Sequence, residues 1–145
     1  MTAADFAALL RAFAGAVVRG DGEALAALFT PDGVYDDGFY GPRAGPDGIR
    51  SMLAEFHAAA RGFRWDFLDP VCDGHTGYAR YRFAYTSTLP GCAGTPVVFD
   101  GMSQFTFRDG RIVRYCEVFD RGVALVQLGF VPERISRTLR RYVPH

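Results

Sequence analysis

The sequence predicts an α+β fold: a cone-shaped, curved antiparallel sheet with N-terminal helices packed in its concave face. Three observations predict it. Apolar residues recur at helical spacing through the first half, the second half alternates with a period of two, and turn signals such as RDGR at 108–111 join the alternating runs. A helix layer lying in the hollow of a curved sheet leaves a conical cavity open at one end, a shape suited to a small apolar ligand.

Each element follows from its residues. Phe6, Leu9, Leu10, Phe13 and Val17 form one helical stripe, with Thr2 placed to cap it. Gly20 and Gly22 break that helix, and Leu25, Leu28 and Phe29 form the stripe of a short second one. TPDG at 30–33 reads as a turn, 34–37 as a short strand and 38–45 as a loop. Pro46 stands in the first turn of a third helix, which turns Ile49, Met52, Leu53 and Phe56 inward. Strands follow at 63–71, 78–89, 97–107 and 112–120, and 121–129 reads as a short helix or turn. Residues 131–143 form an amphipathic helix, with Ile135, Leu139 and Tyr142 on one stripe and arginines around it. That stripe needs a surface to cover, either the cavity opening or a second subunit.

Length and composition narrow the function. A chain of 145 residues fits one domain, 1–145, with 131–145 as a C-terminal helical extension. The formal net charge is zero, which argues against a nucleic-acid or anionic-membrane partner. Cys72, Cys92 and Cys116 are odd in number and form no CxxC pair, so the expectation is a reduced, cytoplasmic setting without a zinc site. No two-His-plus-carboxylate spacing and no glycine-rich phosphate loop occurs, so neither a metal nor another cofactor is expected.

The segment FAGAVVRGDGEALAALFTPDGVYDDGFYGPRAGPDGIRSML, the late FTFRDGRI and the ending FDRGVALVQLG resemble the nuclear transport factor 2-like (cystatin-like) superfamily. The likeness is to its SnoaL-like and ketosteroid-isomerase-like branch and covers about residues 5–129. It implies a small-molecule enzyme working by acid–base chemistry without a cofactor, an isomerase or aldol-type cyclase acting on a largely apolar carbonyl compound. It also implies a homodimer. The fold hosts many activities, so a non-catalytic binding domain for a small hydrophobic ligand and an epoxide-hydrolase-like enzyme remain alternatives.

Carried over by position, the resemblance to ketosteroid isomerase places the general base on Asp36, the helix tyrosine on Phe13 and the oxyanion-hole acid on Ser103. Phe13 cannot donate a hydrogen bond and Ser103 is a weak acid. Losing one such donor costs about 3–4 kcal/mol of transition-state stabilisation, which argues against steroid isomerisation by that route. The resemblance to limonene epoxide hydrolase places the water-activating acid on Glu117 and the arginine on Arg82, but its second acid falls on Ala84. The resemblance to polyketide cyclases leaves Glu117 or Asp120 as the acid or base.

The residues add their own reading. If Val34 points into the core, period two sends Asp36 inward as well and Asp37 outward; the alternative is that Asp36 caps the turn that follows. Glu117 shares a strand face with Val113, Tyr115 and Phe119, where a lone acid must be paired or protonated. Arg82 faces solvent, a subunit interface or an anionic substrate group. Tyr40 or Ser103 is placed to bond a developing oxyanion, Trp65 to line the pocket, and His57 to reach the cavity edge.

Overall fold

The computed structural model describes all 145 residues. Helix α1 (Ala3–Arg19) starts where expected: Thr2 Oγ accepts from Asp5 N–H at 3.1 Å, and the Asp5 carboxylate accepts from Thr2 N–H in return. Gly20 ends it in the left-handed region at φ 69°. Asp21 caps the short α2 (Gly22–Ala27), and α3 spans Gly45–Ala59 with Pro46 in its first turn.

Six strands follow or interleave: β1 (Phe29–Asp37), β2 (Gly41–Ala44), β3 (Ala60–Cys72), β4 (Thr76–Ser87), β5 (Pro96–Arg108) and β6 (Arg111–Phe119). They form one sheet in the order β2-β1-β6-β5-β4-β3. The chain ends with α4 (Arg121–Gln127), α5 (Pro132–Leu139) and a 3-10 turn at Arg140–Tyr142.

Two expectations about the sheet are corrected. It is an open ladder, neither closed nor strongly curled into a cone: β2 and β3 are its two edges and do not pair. Nor is it wholly antiparallel, because β1 runs parallel to β6. Period-two alternation reports which face of a strand is buried; curvature and closure depend on bulges and on edges meeting, which alternation does not encode. The segment 30–33, expected as a turn, lies within β1, where the pairing with β6 shifts register between Phe29 and Val34. Residues 41–44, expected as loop, form the edge strand β2.

One face of the sheet carries the core. Tyr35, Trp65, Tyr81, Phe99, Phe105 and Tyr115 are buried there beneath Phe6, Leu10, Phe13 and Val17 of α1 and Ile49, Met52 and Leu53 of α3. Phe13 stacks on Tyr35 at 5.7 Å and meets Trp65 and Phe105 edge-on at 5.4 Å each. The other face bears ion pairs such as Arg80–Asp69 and Arg82–Asp100. The three cysteines are free thiols. No helix is long and apolar enough to cross a membrane.

Candidate active site

The aromatic filling of the core stops short of one end of the sheet and leaves a cavity of about 230 Å³. Phe56, Ala59 and Ala60 wall it at the α3–β3 junction; Phe63, Trp65, Tyr81, Phe83 and Tyr85 come from β3 and β4; Phe99 and Phe119 come from β5 and β6. Phe39 and Tyr40 from the β1–β2 turn, Leu89 beyond β4, and Leu125 and Leu128 from α4 and its end complete the apolar wall. Against this lining stand Asp37, Ser87 and Glu117, and no arginine or histidine reaches it.

Asp37 and Glu117 meet because β1 and β6 are parallel neighbours. Asp36 is in register with Cys116, so the next residue on each strand, Asp37 and Glu117, turns to the opposite, inner face. Asp37 Oδ2 accepts from the N–H groups of Phe39 at 2.8 Å and Tyr40 at 2.9 Å, closing the turn that follows β1. Glu117 Oε1 accepts from Gly38 N–H at 3.0 Å, and Oε2 accepts from the hydroxyls of Tyr115 at 2.7 Å and Tyr81 at 3.0 Å. Ser103 Oγ lies 3.0 Å from the Tyr115 hydroxyl and extends the chain inward.

Two glycines make the approach possible. A Cβ on Gly38 would fall 2.2 Å from the Phe119 ring, so only glycine lets this turn close on β6. A Cβ on Gly101, directly across from Tyr81, would fall 2.4 Å from the Tyr81 hydroxyl.

The electrostatics follow from this packing. Burial away from water pushes Glu117 up to about 8, and the charge of Asp37 adds to the shift; the Gly38 amide and the Tyr115 and Tyr81 hydroxyls pull the other way. Burial likewise raises Asp37, opposed by the Tyr40 and Phe39 amides. Two carboxyl groups in one apolar site do not both ionise readily, so the charge of either one favours the protonated form of the other. Burial, then the charge of Glu117, raises Tyr81 and Tyr115, so both stay protonated as donors. No third His, Cys, Asp or Glu side chain joins the two acids to make a metal-binding group.

The expected site residues divide. Glu117, Tyr40 and Trp65 line the cavity. Asp36 does not: its carboxylate pairs with Arg114 on the outer face, because Tyr35, fully buried, is the inward residue and Val34 is not. Asp120 is the N-cap of α4 and accepts from Gly122 N–H at 2.9 Å. Arg82 is exposed and bound to Asp100 through both carboxylate oxygens. His57 Nε2 lies 2.8 Å from the Val17 carbonyl, tying α3 to the end of α1. Phe13 is core, and Ser103 stands behind Tyr115, two hydrogen bonds from Glu117, rather than at the cavity wall. Asp37 and Tyr115 are the functional candidates that sequence reasoning missed. Val34 and Tyr35 are both apolar neighbours, so residue type alone did not choose between the two phases, and only the buried Tyr35 selects Asp37.

An open α+β sheet with helices on one face and an acid pair at the end of an apolar cavity defines a small-molecule pocket. The chain belongs to the SnoaL-like domain family, whose model matches residues 10–115, and so to the nuclear transport factor 2-like superfamily. No curated protein matches the sequence. Among solved structures, the chain is similar to TsrD from Streptomyces laurentii, at 20% identity and a TM-score of 0.78 over 90% of this chain and 99% of that one. It is also similar to a Catenulispora acidiphila protein with a ketosteroid isomerase-like fold, solved in complex with trimethylamine (21% identity, TM-score 0.77, 86% and 95% covered). A third similar structure is an LEH-like epoxide hydrolase of M. tuberculosis (20% identity, TM-score 0.69, 97% and 96% covered).

Proposed function

We propose that the cavity catalyses proton transfer next to the carbonyl of a small, uncharged, largely apolar compound, as in an isomerisation or an aldol-type ring closure. The observation that carries this reading is the Asp37–Glu117 pair, two carboxyl groups bound to hydroxyls and amides at the wall of an otherwise apolar cavity. The ionised member of the pair removes the α-proton. The protonated member, or a tyrosine hydroxyl beside it, donates to the carbonyl oxygen, giving an enol. Where a double bond is conjugated with the enol, returning the proton at its far carbon as the enol hydroxyl gives its own back to the pair completes an isomerisation; attack of the enol carbon on a second carbonyl, whose oxygen takes up a proton from the pair as the enol hydroxyl gives one back, completes an aldol step. A carboxyl group titrating near the working pH suits both duties.

Epoxide hydrolysis by an acid–arginine–acid triad has less support, since Arg82 lies on the outer face and Ala84 carries no acid. A purely binding role is the second reading. It is favoured by the three protein donors that already satisfy Glu117.

Exchange of the α-hydrogens of 2-tetralone in D₂O, followed by NMR, separates the two. The wild type is expected to accelerate exchange, and Glu117→Gln and Asp37→Asn to lower that acceleration by about 10²–10⁴-fold while the ketone still binds. Binding without any acceleration by the wild type leaves the binding role alone.

A further inference from the structure

We propose that the C-terminal tail is a strap that positions the acid pair, with Arg121 and Tyr142 as its positioning residues. This rests on the reading of Asp37 and Glu117 as the proton-carrying pair. The two peptide units that bind Asp37 are each held at both ends. The unit between Gly38 and Phe39 gives its N–H to Asp37, while its carbonyl accepts from Arg121 Nε at 2.5 Å. The next unit, between Phe39 and Tyr40, also gives its N–H to Asp37, while its carbonyl accepts from the Tyr142 hydroxyl at 3.4 Å.

Hydrogen bonds in a row polarise one another, so a donor on each carbonyl strengthens the N–H at the other end of the same unit. The strap is also internally braced. The Arg121 guanidinium lies over the Tyr142 ring at 3.7 Å and near the Phe119 ring of the cavity wall at 5.9 Å. Leu139 sits beside Gly122, so the tail folds back onto the start of α4, whose Leu125 lines the cavity. The amphipathic stripe of the tail therefore covers α4 and the 38–40 turn.

The titratable groups facing the pair are Tyr35, Tyr40, Tyr81, Tyr85 and Tyr115; Asp36 acts from the outer face through its charge, and Arg121 is the cation on the tail side of the turn. Removing Arg121 takes away that cation and a donor together, and both losses favour the protonated pair.

The test uses the full chain and needs no substrate. Carboxyl-¹³C-labelled protein is titrated by NMR, and amide hydrogen exchange is measured at Phe39 and Tyr40. Arg121→Ala is expected to raise the titration midpoint of the pair by about half a pH unit or more, with Arg121→Lys restoring most of it. Tyr142→Phe, which keeps the ring over Arg121, is expected to speed exchange at Tyr40 by about tenfold with little change elsewhere in β1. Unmoved titration in Arg121→Ala together with unmoved exchange in Tyr142→Phe overturns the strap. If Arg121→Ala does not fold, Arg121→Met, which keeps the chain length without the donor, and Tyr142→Phe decide through exchange at the two amides: faster exchange supports the strap, and wild-type rates in both overturn it. A wild type whose acid pair shows no raised titration sinks the catalytic reading instead, and the exchange rates still judge the strap.

Discussion

Glu117 carries its consequences into stability as well as chemistry. Its carboxyl titrates at about 8 in the folded chain, against an ordinary value of 4.5, because burial and the charge of Asp37 disfavour the anion. A raised folded value means that the native state holds the proton more tightly than the unfolded chain does. The stabilisation is fully present below pH 4.5 and is lost as pH rises to about 8, beyond which this group adds no further slope. Asp37 is raised as well and acts in the same sense. Urea unfolding is therefore expected to show stability falling between pH 5 and pH 8.5, with Glu117→Gln shrinking that fall; an equal fall in the variant would show that Glu117 is not its source. Asp36, by contrast, is held by Arg114 on the outer face and acts on Asp37 through its charge alone, so Asp36→Asn is expected to lower the Asp37 titration slightly while leaving ketone exchange largely intact.

At the scale of elements, the site is assembled across neighbouring strands. Tyr81 on β4 reaches Glu117 on β6 only by crossing β5 at Gly101, its direct partner in the ladder. Gly101→Ala places a methyl carbon where the Tyr81 hydroxyl lies, and the buried ring has little room to retreat. The expected outcome is a destabilisation of about 1–3 kcal/mol from overpacking, with ketone exchange falling as it does in Tyr81→Phe. A fully active, fully stable Gly101→Ala would mean that Tyr81 has no part in the site. Much of this level was legible in advance. Thr2, Gly20 and Pro46 mark real helix boundaries, and the alternation of 78–89 matches the inward Tyr81 and outward Arg80 and Arg82. The phase of β1 was not: the period of two holds from Val34 to Asp37, but its starting side is set by the β1–β6 pairing, which turns Tyr35 and not Val34 inward.

For the whole molecule, the cavity's charge character sets what can enter. Its wall offers two acids and no cation, so burying an anion there costs desolvation with no partner to offset it. 2-Tetralone is expected to bind at least about tenfold more tightly than 2-naphthoate, a flat anion of similar size, with the gap widening as pH rises past 8 and the pair ionises. Calorimetry at pH 6.5 and pH 9 checks both parts; equal affinities would point to an anion-binding site elsewhere.

The sequence by itself determined the order of helices and strands apart from the edge strand β2, the buried stripes, the family and the presence of an acid at 117 on an apolar strand face. These are local properties, written in periodicity and in turn chemistry. Only the tertiary structure decided that the sheet stays open, that Asp37 rather than Asp36 faces the cavity, and that the tail reaches the 38–40 turn. Each of those depends on groups far apart in the chain: strand edges that meet or do not, a parallel β1–β6 register, and a tyrosine that returns to Phe39 from 103 residues away.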